Sequence, residues 1–206
     1  MKVNLVFVPR FCLPLLMSCL LLSACHKEDN VQHYSLDQAA SVIKWKGYLK
    51  DGSGNNGTIN VTGELLANEK GAITGGAINM PLYSLINSNL PTDALKDQLV
   101  HHLQSPDFFN MATYPQISFQ LTSLTADERL PGVFRALGEL TMLGKTKSVN
   151  FPVQLKLQGS QLEVTGETSI DRTQWGMNYA SDERAANGMY IKPGIDVQFK
   201  LIAVKN

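Results

Sequence analysis

From Val42 onward, hydrophobic and polar positions alternate along most of this chain. Ile43 and Trp45 stand between Lys44 and Lys46, and Ile59, Val61 and Leu65 between Thr58, Asn60, Thr62 and Glu64. Successive side chains of a strand point to opposite faces, so this period of two predicts strands with one buried face. The same pattern runs through Ile117, Phe119 and Leu121, through Val149, Phe151, Val153, Leu155 and Leu157, and through Ile195, Val197, Phe199, Leu201 and Ala203. Weaker versions over residues 72–82, 133–142 and 162–170 bring the expected strands to eight. Gly71, Gly144 and Gly159 mark short turns, and the register slips at Gly75-Gly76 as it would at a bulge. Pro152 has no N–H to give a ladder, so it belongs at an edge, a bulge or a polar-facing position. One segment has a different period: Leu95, Leu99 and Leu103 recur every four residues behind Pro91 and a Thr92/Asp93 cap. A single amphipathic helix is expected over residues 92–104, stopped by Ser105-Pro106-Asp107. Eight antiparallel strands with one inserted helix suit a closed barrel, which removes exposed edges, or a two-sheet sandwich; periodicity does not separate them.

The front of the chain follows other rules. Lys2 and Arg10 give a positive region, residues 11–22 are apolar, and Leu22-Ser23-Ala24-Cys25 resembles the lipobox of bacterial lipoproteins. The resemblance implies a signal peptide over residues 1–24 and a lipidated Cys25 at the new terminus. The apolar run is short of the ~20 residues that span a bilayer. Two or three acyl chains, at about 0.8 kcal/mol per buried methylene, hold a protein on a membrane. The expected domains are thus the leader 1–24, a lipidated tether 25–33 and one barrel domain over 34–206. Lys27-Glu28-Asp29 in the tether is similar to signals that send lipoproteins to the outer face; the alternative is an ordinary solvated spacer. The expected location is the bacterial cell envelope, as an outer-membrane lipoprotein facing the periplasm or the surface.

Composition narrows the chemistry. Cys12 and Cys19 leave with the leader and Cys25 takes lipid, so the domain has no disulfide and depends on its core. The 18 basic and 18 acidic residues are mixed, which gives no electrostatic reason to expect nucleic acid as a partner. There is no glycine-x-serine-x-glycine elbow, HExxH motif, phosphate-cradling loop or dinucleotide fingerprint, and no enzyme activity is expected. His101 and His102 project about 100° apart on a helix, and Asp97 with His101 offers two ligands at most, so no metal is expected.

A barrel lumen lined by Trp45, Phe119, Leu121, Phe134, Leu140, Met142, Phe151 and Phe199 would favour a long apolar chain, at roughly 25 cal/mol per Å² buried. The alternative is that these side chains fill the barrel by packing on each other. Phe108 and Phe109, just after the helix, are placed to wedge into the barrel mouth. Arg172 beside Asp171 suits either an oxyanion headgroup or a structural ion pair at a strand end.

His102-Leu103 followed by Ser105, Asp107, Phe108-Phe109 and Tyr114-Pro115 resembles the YceI-like family. The block 138–147, with its glycine-x-leucine-threonine hairpin, and Asp171-Arg172-Thr173-Gln174-Trp175-Gly176 resemble it too, and Trp175 joins the ligand-binding candidates on that ground. The resemblance implies a lipocalin-like, eight-stranded antiparallel barrel that encloses a polyisoprenoid or quinone-type lipid, with no other cofactor. Many relatives carry histidines near the first strand and the following loop, where this chain has Ala40, Gly47 or Tyr48, and Asn55. The expectation is a lipid-anchored, non-catalytic binder of a long-chain amphiphile. Its rivals are a filled barrel acting through surface loops 51–57 and 181–188, and a lipid-modifying enzyme.

Overall fold

The computed structural model describes Lys2 and residues 31–184 and 189–206. The leader, Cys25, Lys27-Glu28-Asp29 and part of the loop 181–188 lie outside the described residues. Eleven strands and one helix follow in order: β1 Gln32–Leu36, β2 Val42–Leu49, β3 Gly54–Ile59, β4 Thr62–Ala67, β5 Ile73–Pro81, β6 Ile86–Asn87, α1 Asp93–Gln104, β7 Gln116–Ala126, β8 Val133–Met142, β9 Lys145–Gln158, β10 Gln161–Asp171 and β11 Ile191–Lys205. All pairings are antiparallel, and the ring β1-β4-β5-β7-β8-β9-β10-β11 closes through β1 and β11.

The fold is a closed eight-stranded antiparallel barrel. Two wall strands are broken, which turns eight into ten: β11 pairs first with β2 and then with β1, while β3 and β4 pair with β2 and β1 in turn; the eleventh, the short β6, pairs with β3 outside the ring. The alternation Ile59, Val61, Leu65 thus spans a break at Asn60-Val61 rather than one continuous strand. β1 starts at Gln32, so the last two residues of the expected tether are already paired with β4. Residues 54–57 of the expected surface loop belong to β3. The slip expected near Gly75-Gly76 is a register shift, with Gly75 opposite Leu66 and Ile73 opposite Ala67.

Helix α1 begins where its cap predicts, with the Thr92 Oγ1 accepting from the Leu95 N–H at 3.3 Å. It crosses one end of the barrel and buries none of its residues fully, although Leu103 packs on the core. Tyr179 packs against His102 and Phe108 at the same helix end. The far end is sealed by Tyr34, Ala67, Leu162 and Ala203, all within 5 % of full burial.

Pro152 marks a discontinuity in the wall. The β9–β10 ladder runs from Gln158 opposite Gln161 to Val153 opposite Gly166 and ends there. The next facing residue is Pro152, which has no N–H to donate. Beyond it β9 stays paired to β8 down to Lys145, and β10 stays paired to β11 up to Asp171. Residues 145–152 and 167–171 therefore form a seam, open toward the helix end.

Candidate functional site

The inner faces of the strands enclose a cavity of about 450 Å³, within the range of small-molecule sites. Its wall follows from the period of two. Trp45 comes from β2, Phe119 and Leu121 from β7, Leu140 and Met142 from β8, Phe151 from β9 and Phe199 from β11. Phe119 and Phe151 meet with centroids 5.5 Å apart, and Phe151 meets Phe199 edge-on at 5.7 Å. These rings need room at their feet. A Cβ at Gly138 would strike the Phe119 ring, and one at Gly166 would strike Phe199, so bare backbone under each ring fixes its tilt.

The decisive property of the wall is that it is incompletely packed. Trp45, Phe151, Val197 and Phe199 point inward yet remain only half-buried. In a filled barrel such residues would be enclosed by their neighbours.

Above the cavity sits a cap. Phe108 is buried and Phe109 half-buried, and both line the cavity together with Leu99 and Leu103 of α1. The Phe108 ring meets His102 edge-on at 5.0 Å and tilts against Tyr179 at 5.2 Å. His102 Nε2 and the Asp107 Oδ2 are 3.0 Å apart, so this histidine belongs to a surface pair that ties the helix end to the turn after it. Among the described residues, no group of three His, Cys, Asp or Glu is placed to hold a metal. Trp175 is 2 % exposed, lines the cavity, and donates its Nε1–H to the Leu140 carbonyl at 3.1 Å.

Arg172 is 1 % exposed, and backbone carbonyls surround it. Its Nη1 donates to the Met177 carbonyl at 2.5 Å, its Nη2 to Tyr179 at 2.9 Å and Ile191 at 2.8 Å, and its Nε to Lys192 at 3.4 Å. A guanidinium has five N–H groups, so one is left for any headgroup. Burial presses its pKa down, opposed by the neighbouring Asp171 carboxylate. Arg172 is a clamp that gathers the carbonyls of Met177, Tyr179, Ile191 and Lys192. Phe134 departs from expectation: it packs on the core from the β8 face shared with Ala136, but it is absent from the cavity wall. Alternation gives the face of a residue and not its depth along the barrel.

Sequence reading missed the polar part of the wall. Ser148 and Asn150 of β9 and Thr168, Ser169 and Asp171 of β10 reach the cavity through the seam. Gly47, Tyr48 and Asn55, at positions where many relatives were expected to carry histidine, also line it. Asp171 Oδ1 accepts from the Thr173 hydroxyl at 2.7 Å and from its N–H at 3.0 Å, and the hydroxyl bond foremost holds the carboxylate pKa below its ordinary 3.8. A depressed folded-state pKa adds stability above the unfolded value and loses it as the pH falls through the folded value. Asp171→Ala is therefore expected to cost about 1 kcal/mol at neutral pH, as loss of a cap does. Thermal melts should show the gap between variant and wild type closing as the pH is taken below 3.8.

The sequence pattern of the YceI-like domain matches residues 34–203, most of the chain. The chain belongs to the YceI-like family. Among solved structures, BcnA of Burkholderia cenocepacia superposes with a TM-score of 0.64 at 18% identity, over 81% of this chain and 98% of that one. A polyisoprenoid-binding domain from Saccharophagus degradans superposes with a TM-score of 0.64 at 15% identity, over 84% of this chain and 98% of its own. A Campylobacter jejuni YceI protein reaches 0.50 at 13% identity, over 65% and 73%. Comparison with curated proteins gives no match. At these identities the YceI-like structures establish the shared barrel, and the side chains of the lumen are this chain's own.

Proposed function

We propose that this barrel binds a polyisoprenoid or similar long-chain amphiphile non-covalently, for storage, transport or protection rather than turnover. The observation that carries the reading is the half-buried inner wall: Trp45, Phe151, Val197 and Phe199 face a space that an apolar chain would fill. Each 100 Å² of apolar surface so covered is worth about 2.5 kcal/mol. The name given to the Saccharophagus degradans domain, polyisoprenoid-binding, supports the same ligand class. In this reading Cys25 carries acyl chains and the barrel works in the bacterial envelope.

Mass spectrometry of an organic extract of the purified chain tests the ligand. A stoichiometric prenyl lipid supports binding, an extract without lipid supports a module acting through its loops, and a chemically altered lipid points to an enzyme. The anchor has a separate test. Cys25→Ser is expected to move the protein from the membrane fraction to the soluble or uncleaved pool; a cleaved Cys25→Ser protein that still needs detergent contradicts the anchor.

A further inference from the structure

We propose that the β9–β10 seam is the side entrance of the lumen and the place where the polar end of the bound amphiphile rests. This rests on the lipid-binding reading. Four observations converge. The ladder stops at Val153 and Gly166, where Pro152 removes the next donor, although both strands continue. The parted backbones have no partner strand on the seam side, so their N–H and C=O groups face the gap. Residues of both lips line the same cavity as the aromatic wall, which makes seam and lumen one continuous space. Finally, the lips are graded: Val149, Phe151 and Ile170 lie inside, while Ser148, Asn150 and Ser169 are exposed outside.

An amphiphile matches that gradient with its chain among the apolar residues and its oxygens at the rim. The far end is closed and part of the helix end is covered. Tyr34, Ala67, Leu162 and Ala203 close the far end, and Phe108, Trp175 and Met177 are buried across the helix end. Arg172 has four of its N–H groups on backbone carbonyls, so the head falls to the hydroxyl, amide and backbone donors of the seam. Those donors serve any oxygen acceptor, an alcohol or a phosphate alike. Asp171 lies at one lip, and Lys145 and Lys147 lie on the β9 side, so the two heads must be compared directly.

The test measures uptake of radiolabelled geranylgeraniol and of geranylgeranyl phosphate by the purified full chain stripped of lipid. Asn150→Trp and Ser169→Trp place bulk on opposite lips at exposed positions, and Lys156→Trp places the same bulk on the zipped half of β9. Both seam variants should load at least about tenfold more slowly than wild type, with Lys156→Trp unchanged; related binding rates ordinarily vary over one to three decades. If either seam variant fails to melt cooperatively, the other carries the test. Equal slowing of both lipids assigns the seam to a shared oxygen contact, and slowing of one alone assigns it to that head. Wild-type loading in both seam variants, or equal slowing in Lys156→Trp, overturns the side entrance while leaving lumen binding in place. Failure of the wild type to take up either lipid overturns the binding reading itself.

Discussion

Arg172→Met is expected to destabilise the folded barrel by about 3–5 kcal/mol, the loss that follows when buried carbonyls are stripped of a charged partner. The substitution keeps the aliphatic stem but leaves the carbonyls of Met177, Tyr179, Ile191 and Lys192 without their donor, in a site 1 % exposed. Arg172→Lys should recover only part of this, because an ammonium is a point donor and does not span four oxygens as a planar fork does. Urea unfolding reads the effect as a lower midpoint at unchanged slope. A loss under about 1 kcal/mol would mean that Met177, Tyr179, Ile191 and Lys192 keep their places by other contacts.

Placing charge on the inner wall should remove the ligand. Phe119 is 9 % exposed, with its ring against Phe151 and over Gly138. An unpaired carboxylate at this position costs several kcal/mol and repels an alkyl chain from the same space. Phe119→Glu risks the fold itself, so Leu121→Gln on the same strand face is the milder companion. An amide facing an apolar chain without a partner costs about 1–3 kcal/mol, which corresponds to a loss of affinity of roughly fivefold to more than a hundredfold. Prenyl lipid co-purifying per folded molecule is the measurement, and cooperative melting certifies the fold. Folded Leu121→Gln with wild-type lipid content would move the ligand out of the lumen.

The strands were legible because each buries one face against a common interior, which writes a period of two directly into residues such as Ile195, Val197 and Phe199. Helix α1 was legible through Leu95, Leu99 and Leu103 and the Thr92 cap. The broken strand at Asn60-Val61 was not, because Ile59 and Val61 keep the alternation across the break. Strand β1 offers only Tyr34 and Leu36 as apolar positions, and its pairing with β4 and β11 joins segments distant in sequence. Most of the lumen wall could be read from alternation, whereas Phe134 shows that the same pattern is blind to depth. The clamp made by Arg172 was not legible for a related reason: Asp171 is its neighbour in sequence, but the carbonyls it gathers come from Met177, Tyr179, Ile191 and Lys192 and exist as a set only after folding. Pro152 signalled an interruption in the sequence; its consequence, a seam opening on the cavity, depends on where β10 turns away.

The protein carries its own reporters of an apolar chain in the lumen. It has two tryptophans, Trp45 and Trp175, and both line the cavity. The direct measurement is tryptophan emission during titration of lipid-stripped protein with a prenyl alcohol brominated along its chain, a contact quencher, with bound lipid counted in parallel. The expected result is saturable quenching that ends at one lipid per molecule, dominated by the half-buried Trp45 and reversed by unbrominated lipid. Lipid that binds and leaves both tryptophans unquenched, or no binding at all, would contradict it.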